Sequence, residues 1–284
     1  MIPAAFDYVR AGSVEEAVSA LQQHGDDAKL LAGGHSLLPL MKLRLALPEV
    51  LVDVGRVDAL KGVSDAGDQL AIGAGTTHHD VIHNALVREH CAVVSDVTST
   101  VGDAQVRHRG TIGGSLAHGD PASDLPALML ALDATLVAQG PGGQREIPAA
   151  EFFVDYLQTA LAPDEVLVEV RVPKLGSGWG HHYEKFNLVA QAWAVVGAVA
   201  LVQRANGAIA SARVGLVNVG PTPVRASGVE SALTGVEPSG DAVAAAADNA
   251  ADGISPSSDV HASAEFRTHL ARILTKRAVS AAIV

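Results

Sequence analysis

The chain has 284 residues and a formal net charge of −11, from 31 acidic and 20 basic side chains, which disfavours a nucleic-acid ligand because phosphate binding needs a basic surface. Hydrophobic residues make up 48% of the chain and aromatic residues 4%, so we expect a mostly aliphatic core, and the length allows two or three small domains or one medium domain with an appendix. The single cysteine, Cys91, excludes an intrachain disulfide and an iron–sulfur cluster held by four thiolates of this chain.

The first third of the chain predicts a helix and three short strands. The stretch from Ser13 to Glu16 is a capping box, which predicts a helix to about Gln23 that is ended by Gly25 in the left-handed αL conformation. The predicted strands are short apolar runs at 29–32, 50–54 and 70–74. The first of these strands leads directly into the sequence Gly-Gly-His-Ser at 33–36.

The middle of the chain predicts two helices followed by two strands. Apolar residues at helical spacing predict a helix over 79–91, and the nearly continuous apolar run at 125–132 predicts a buried helix. Residues 135–138 and 166–172 have the composition of strands, and Pro173 ends the second of them.

A glycine-rich change of composition at 176–180 predicts a domain boundary. Beyond it, 194–203 and 212–219 are rich in β-branched residues and could pair antiparallel, and the remainder is helical, ending with a helix at 262–282. The order of elements predicts an α+β chain, with two small α/β units first and a sheet covered by helices last. The predicted domains are 1–176, divided into subdomains of about 1–56 and 57–176, and 177–284.

Two glycine pairs in similar settings are the main chemical signal. Gly33-Gly34 and Gly113-Gly114 each follow a short apolar or β-branched stretch and precede a serine at 36 or 115. Glycine lets a backbone approach a ligand closely, and consecutive amides can form a concave nest for an anion. One pair alone would indicate only a tight turn, but two matched pairs favour nests that grip the two phosphates of a dinucleotide.

Other nucleotide and hydrolase motifs fail in this sequence. No Gly-Lys dipeptide occurs, which excludes a P-loop. The run from Gly73 lacks the third glycine of a Rossmann fingerprint, because His78 stands there, and the run from Gly34 lacks the closing glycine of a nucleophile elbow.

Histidines and arginines near these loops allow two readings. His78, His79 and His83 surround a predicted helix start, where the spacing of four between His79 and His83 could bind zinc, although an exposed helix start is the simpler explanation. Arg107 and Arg109 are either surface charges or a source of positive potential for a bound anion.

Three charged residues also have competing roles. Asp124 could cap a helix or accept hydrogen bonds from sugar hydroxyls, and Asp120, which precedes a proline, is interpreted as a turn residue. Lys185, in Tyr-Glu-Lys-Phe at 183–186, is either a solvated strand charge or a counter-ion for a ligand.

Four segments together resemble a known family, the FAD-binding medium subunits of molybdenum hydroxylases, the group of aerobic carbon monoxide dehydrogenase and xanthine dehydrogenase. AGGHSLLPLMKLR at 32–44 resembles its first flavin loop, and TIGGSLAHGDPASDLPALMLALDA at 111–134 resembles its second. EVLVEVRVP at 165–173 is similar to the strand that closes its flavin domain, and AEFRTHLARILTKRA at 264–278 to its terminal helix. The match spans nearly the whole chain.

The resemblance implies a two-part FAD-binding domain of the vanillyl-alcohol-oxidase (PCMH) type and a smaller C-terminal domain. It implies that backbone amides and hydroxyls of two segments hold the pyrophosphate and nearby ribityl or ribose groups, namely Ala32, Gly33, Gly34, His35 and Ser36, and Thr111, Ile112, Gly113, Gly114 and Ser115. Asp124 would bind sugar hydroxyls, Leu167 would pack on the coenzyme, and Ile72 and Gly73 would line the flavin pocket. Lys185 would lie near the flavin ring.

Trp193 falls where some members place a tyrosine over the isoalloxazine, so it is either a stacking residue or a core residue of the C-terminal sheet.

For the partners, the resemblance implies a large subunit with a molybdenum cofactor and a small subunit with two 2Fe–2S clusters, in a dimer of heterotrimers. The present chain would pass electrons through FAD to an external acceptor, with no catalytic acid–base residue and no metal of its own. A self-contained FAD oxidase and a non-enzymatic scaffold with a degenerate nucleotide loop are the alternatives.

The expected location is the cytoplasm. The first residues, MIPAAFDYVR, lack the basic and apolar regions of a signal peptide, and the longest apolar stretch, 192–202, is too short to span a bilayer. A lone cysteine also fits a reducing compartment.

Overall fold

A computed structural model describes residues 2–283 of the protein. The N-terminal unit is a small parallel sheet with two helices, in the sheet order β1-β3-β2. Its elements are β1 (Asp7–Arg10), α1 (Val14–His24), β2 (Ala28–Leu31), α2 (Leu37–Lys42) and β3 (Val50–Asp53). Short 3₁₀ turns cover Gly25–Asp27 and, after β3, Asp58–Leu60.

The capping box predicted for α1 is present. The Ser13 hydroxyl accepts from the Glu16 amide at 3.2 Å, and the Glu16 carboxylate accepts from the Gly12 amide at 2.7 Å. Gly25 follows the helix with a positive φ of 56°, but its ψ of −134° lies outside the αL region, so that detail of the prediction is wrong. The chain leaves α1 through a 3₁₀ turn, which needs this different ψ.

The central unit is a five-stranded antiparallel sheet in the order β4-β5-β10-β6-β7, with helices inserted between β5 and β6. In chain order its elements are β4 (Val63–Ala66), β5 (Gln69–Gly73), α3 (His78–His83), α4 (Ala85–His90), α5 (Ala92–Ser99), α6 (Ala104–Arg107), α7 (Ile112–His118), α8 (Asp124–Ala131), β6 (Thr135–Gly140), β7 (Gly143–Pro148), α9 (Ala149–Phe152), β8 (Phe153–Asp155), β9 (Gln158–Thr159) and β10 (Val166–Pro173).

The single helix predicted over 79–91 is two helices, α3 and α4, separated by Asn84. The backbone of Asn84 is extended, with φ −70° and ψ 129°, and its side chain accepts from the amides of Leu86 and Val87 at 3.0 and 3.3 Å. Asparagine is a strong N-cap residue because its side chain replaces the missing helical acceptor. A second helix therefore begins here, although the apolar spacing continues across the break.

The C-terminal unit is a four-stranded antiparallel sheet, ordered β11-β12-β13-β14, with one face covered by helices. Its elements are β11 (Trp179–Phe186), β12 (Val196–Ala205), β13 (Ala208–Val217), β14 (Val224–Arg225), α10 (Ser227–Leu233), α11 (Gly240–Ala247), a 3₁₀ turn at Asp248–Ala251, and α12 (Ala264–Ala282). The predicted antiparallel pairing of the two β-rich segments and the α+β class are both confirmed.

Helix α8 lies between the central and C-terminal units, and it is buried as predicted. Its side chains Leu125, Leu128 and Met129 are fully buried in the same cluster as Val199 and Leu201 of β12. At Gly215 of β13, a Cβ atom would lie 2.2 Å from the carbonyl oxygen of Ala127, so sheet and helix meet without room for a side chain. Across residues 2–283, none of the helices combines the length and hydrophobicity needed to cross a bilayer.

Candidate functional site

A cavity of about 630 Å³ opens where the three units meet. Its volume is typical of a site for a small organic ligand, for which about 300–1,000 Å³ is usual. Its walls come from the loop after β2, the end of β5, the start of α7, the start of α8, the region before β10, and the C-terminal unit. Of the residues predicted from the sequence to bind the coenzyme, all but Ile72, Gly73 and Ile112 line it.

The first glycine pair adopts a backbone that only glycine allows. At Gly33 a Cβ would lie 2.2 Å from the carbonyl oxygen of Arg109 and 2.8 Å from the Cα of Gly110. Gly34 has a φ of 77°, in the left-handed region that favours glycine. Within the described chain, the backbone N–H groups of residues 33–36 donate no hydrogen bond, so four consecutive amides remain available to a ligand.

The second glycine pair has a different role from the one predicted. The Gly113 amide donates to Ala74 O at 2.8 Å, the Gly114 amide to Thr111 Oγ1 at 3.1 Å, and the Ser115 amide to Thr111 O at 3.0 Å. The bonds from Gly114 and Ser115 belong to the start of helix α7, for which Thr111 is the N-cap, and the bond from Gly113 ties the helix to Ala74, so these amides do not form a second open nest. The sequence carries part of this signal, because threonine is among the residues preferred at an N-cap.

Gly113 is needed for close packing. A Cβ there would lie 2.4 Å from the Cβ of Ala74, which follows β5 directly. Helix α7 therefore begins against the end of β5, and Gly113, Gly114 and Ser115 still line the cavity. The absence of side chains lets a ligand approach this wall closely.

A buried ion pair closes another side of the cavity. The Asp124 carboxylate accepts from Lys185 Nζ at 2.8 Å and from the Tyr183 hydroxyl, and Lys185 Nζ also donates to Thr100 O at 3.1 Å. The side chains of Asp124 and Lys185 are only 5% and 8% exposed. Ser123, not Asp124, occupies the N-cap position of α8, so Asp124 does not cap the helix. The solvated alternative for Lys185 is also wrong.

The surroundings raise the pKa values of both Asp124 and Tyr183. Burial raises the pKa of Asp124 above its usual range, and the neighbouring Lys185 opposes that rise. Burial and the Asp124 charge raise the pKa of Tyr183 well above its ordinary value, so its hydroxyl remains a donor. Tyr183 was not predicted from the sequence as a residue of the site. Its position two residues before Lys185 in β11 nevertheless puts both side chains on one face of the strand.

Three predicted residues do not reach the cavity. Ile72 is fully buried in the central core, because β5 is paired on both sides and its side chain points into that core. Gly73 lies against the backbone of Leu60, where a Cβ would be 2.4 Å from the carbonyl oxygen. Ile112 belongs to the same core as Ile72. Ala74 and Gly75, directly after β5, line the cavity instead.

Leu167 and Trp193 line the cavity from different units. Leu167 is 6% exposed and lies at the irregularity of β10, where the pairing with β6 shifts register. Trp193 is 53% exposed in the loop between β11 and β12, so it is not a core residue of the C-terminal sheet.

The histidine cluster does not form a metal site. Residues 2–283 contain no group of three or more histidine, cysteine or carboxylate side chains arranged to hold a metal ion. The His79 ring instead packs on His83 and His108, with ring centroids 4.3 and 4.0 Å apart. His78 differs from these because it is buried and lines the cavity.

The remaining candidates have structural roles. The Arg107 guanidinium donates to the carbonyls of Val101 and Gly102 at 3.0 and 3.1 Å, and thereby fixes a loop that borders the cavity. Arg109 is exposed and contributes its backbone carbonyl to the contact with Gly33. Asp120 accepts from the amide of Ala122 at 2.8 Å, which confirms it as a turn residue.

Comparison with known protein families gives two matches that follow one another along the chain. Residues 4–175 match the model described as the FAD binding domain in molybdopterin dehydrogenase. Residues 181–282 match the model of the CO dehydrogenase flavoprotein C-terminal domain.

Individual relatives match over their full length. The chain is 43% identical to the carbon monoxide dehydrogenase medium chain of Hydrogenophaga pseudoflava, over 99% of this chain and 98% of the relative. It is 38% identical to the 6-hydroxypseudooxynicotine dehydrogenase complex subunit alpha of Paenarthrobacter nicotinovorans, over 100% of this chain and 96% of the relative. A solved structure of the Hydrogenophaga pseudoflava carbon monoxide dehydrogenase, lacking the Mo-pyranopterin moiety of its molybdenum cofactor, superposes with a TM-score of 0.97 at 44% identity, over 99% of this chain and 98% of that one.

Proposed function

The chain belongs to the family of FAD-binding medium subunits of molybdenum hydroxylases, and from this premise we propose which residues of the cavity hold FAD and where its electrons pass. The single observation that carries the proposal is the row of four free backbone amides at residues 33–36, at one wall of a cavity of about 630 Å³. FAD carries a diphosphate, and unpaired amides in a glycine turn are suited to bind such an anion. The self-contained oxidase is not favoured, because both parts of the chain match a subunit family.

The residues present fit the coenzyme. The first loop offers donors and no bulk at Gly33 and Gly34, so the diphosphate can lie against the backbone of residues 33–36. The wall at 111–115 is free of large side chains and suits the adjacent sugar or ribityl groups. Asp124 keeps lone pairs that could accept from a sugar hydroxyl, but its first partners are Lys185 and Tyr183.

Leu167, Lys185 and Trp193 form the wall that suits the isoalloxazine ring. FAD, when bound, supplies the electron-transfer chemistry, and the protein supplies binding, orientation and electrostatics. The half-exposed Trp193 indole offers a flat apolar face for stacking, and Leu167 offers an aliphatic one. The buried Lys185 brings a positive charge, which favours an anionic ligand, and Asp124 limits its strength.

The proposed partners are a large subunit with a molybdenum cofactor and a small subunit with two 2Fe–2S clusters, assembled as a dimer of heterotrimers in the cytoplasm. The chain would take electrons from an iron–sulfur cluster of the small subunit and pass them to an external acceptor. Relatives of this full-length similarity are named for substrates as different as carbon monoxide and 6-hydroxypseudooxynicotine. We therefore propose that the partner subunits, rather than this chain, determine the substrate, and that the chain divides into domains 1–176 and 177–284.

The test is a titration of the purified chain with FAD, followed by visible absorption and flavin fluorescence. Gly34→Ala should weaken FAD binding, because alanine is strained at a φ of 77° and the amides of 33–36 would shift. Gly207→Ala is the matched control, since Gly207 has a φ of 79° in the hairpin between β12 and β13 with no atom within 4 Å of its Cβ position. Equal FAD affinity in the wild type and both variants would contradict the proposed role of the first loop.

A further inference from the structure

His78 is a cavity residue to which the proposed function assigns no role. It is the first residue of α3, and its backbone amide donates to Gly110 O at 2.9 Å. The side chain is 3% exposed, yet it lines the same cavity as the first glycine loop. Gly110 connects the two, since it contacts both the imidazole of His78 and the backbone at Gly33.

The two ring nitrogens of His78 have different surroundings. Nδ1 is fully enclosed and has no hydrogen-bond partner anywhere in residues 2–283. A proton on Nδ1 would lack an acceptor, so the neutral ring is better accommodated with its proton on Nε2. His78 therefore offers an N–H donor at Nε2 and none at Nδ1.

Gly110 packs closely against this edge of the ring. A Cβ at position 110 would lie 2.9 Å from Cδ2 and 3.1 Å from Nε2 of His78. Any side chain at position 110 would therefore collide with the imidazole on the side of its Nε2 donor. A Cβ at Gly33 would lie 2.8 Å from the Cα of Gly110, so the glycine beside the His78 ring also lies against the loop with the four free amides.

The basic groups Arg107 and His35 lie near His78. Burial, then Arg107 of α6 and His35 of the first glycine loop, lower the pKa of His78 to about 4, so the ring is neutral near pH 7. No carboxylate among the described residues raises the pKa of His78 to offset these groups. A ligand that suits this corner of the cavity accepts hydrogen bonds and carries negative charge.

We propose that His78 is a binding residue for the coenzyme, and that its Nε2–H donates to a phosphate oxygen of the diphosphate held by residues 33–36. This inference rests on the proposed function, because the diphosphate belongs to the proposed FAD. It assigns to His78 and Gly110 a role that the glycine loops alone do not explain.

Proton linkage follows from this contact. A nearby phosphate favours the protonated imidazole, so the pKa of His78 rises when the anion binds. Between the pKa of the free state and that of the complex, binding takes up a fraction of a proton, and affinity falls as the pH rises through this interval. His35 also lines the cavity and is a second imidazole beside the proposed phosphate. The contribution of His78 to proton uptake is therefore obtained as the difference between the wild type and a variant at position 78.

The experiment uses the full chain and three probes, FAD, ADP and riboflavin, each titrated by calorimetry at pH 6 in two buffers of different ionisation enthalpy. FAD and ADP carry the diphosphate, and riboflavin does not. His78→Leu, which removes the Nε2–H donor, should weaken FAD and ADP by about 10-fold, as expected for a hydrogen bond to a charged group, and leave riboflavin unchanged. It should also lower the proton uptake that accompanies ADP binding.

His79→Leu is the matched control, because His79 is the next residue, packs on His83 and His108 and does not line the cavity. Gly110→Ala is a second route to the same effect, since its Cβ would displace the imidazole from its present position while His78 remains. Thermal melting of each variant checks that it is folded, and if His78→Leu does not fold, Gly110→Ala decides.

Several outcomes separate this inference from the proposed function. A wild-type chain that binds FAD, with variants at 78 and 110 that bind ADP equally well, would overturn the role of His78 and leave the FAD site standing. An equal loss of riboflavin affinity would also overturn it, because riboflavin has no phosphate. If the wild type binds neither FAD nor ADP, the proposed function fails first.

Discussion

The buried pair of Asp124 and Lys185 gives the sharpest energetic prediction. Lys185→Met keeps most of the aliphatic volume but removes the cation that lies 2.8 Å from the Asp124 carboxylate. The carboxylate is 5% exposed and would retain only the Tyr183 hydroxyl as a side-chain donor. Removing one partner of a buried pair costs about 3–5 kcal/mol, because the other charge remains desolvated. We expect a loss of about 3 kcal/mol, at the lower end, since the cavity can admit water.

The double variant Asp124→Asn/Lys185→Met should recover much of that loss, because no buried charge then remains. A double-mutant cycle with both single variants therefore predicts a coupling energy of about 2 kcal/mol. The surface pair Asp58–Lys61 is the matched control. Its nitrogen–oxygen distance is 2.9 Å, but its side chains are 94% and 42% exposed, so its coupling should be about 0–0.5 kcal/mol.

The assay is urea unfolding of the FAD-free chain, with the free energy of unfolding obtained by linear extrapolation. Fluorescence and circular dichroism should give coincident transitions before the cycle is interpreted. If the Asp124–Lys185 coupling is no larger than that of Asp58–Lys61, the burial argument is refuted, and Lys185 would have to be treated as a solvated surface charge.

Three further predictions concern other walls of the cavity. Gly113→Ala should lower the free energy of unfolding in a urea titration by about 1–3 kcal/mol, because its Cβ would lie 2.4 Å from that of Ala74. Gly142→Ala is the control and should show no such loss, because no atom lies within 4 Å of its Cβ position. The pKa of His78 is lowered to about 4 in the folded chain, so the unfolded chain binds more protons and stability falls as the pH drops from about 6.5 to 4. At about 1.4 kcal/mol per unit of pKa shift, His78 accounts for about 3 kcal/mol of that loss. In His78→Gln, the difference between the free energies of unfolding at pH 7 and pH 4.5 should therefore be smaller by a comparable amount. Trp193→Ala should weaken FAD binding by about 10-fold, because the stacking face is lost, and should leave the urea midpoint unchanged, because the indole is half exposed. Flavin fluorescence that does not change when FAD binds to the wild type would contradict stacking.

Elements with strong local signals could be predicted from the sequence. Helix α1 has a capping box, α8 has a continuous apolar run, and β12 and β13 are rich in β-branched residues, and all four are present. Strand β1 was not predicted, because only Val9 of its four residues is even half-buried. Its strand conformation comes from parallel pairing with β3, more than 40 residues away in sequence, which no local pattern records.

The candidate site shows the same limit. Glycines at 33 and 34 indicate close approach of a backbone, and the structure has that approach. The glycines at 113 and 114 could not be recognised from the sequence as a wall without a free nest, because the acceptor of the Gly113 amide is Ala74, almost 40 residues earlier. The pairing of Asp124 with Lys185 spans 61 residues, and neither residue alone indicates that the other neutralises it.

The positions of these residues also explain why the cavity needs the whole chain. The free amides at 33–36 come from the N-terminal unit, Asp124 and His78 from the central unit, and Lys185 and Trp193 from the C-terminal unit. Lys185 is held by Asp124 at the start of α8, and α8 packs against β13 with no space for a side chain at Gly215. The ion pair thus fixes the C-terminal wall relative to the loop that would hold the diphosphate. Because both walls would contact one extended coenzyme, FAD binding should depend on this contact as well as on the loop itself.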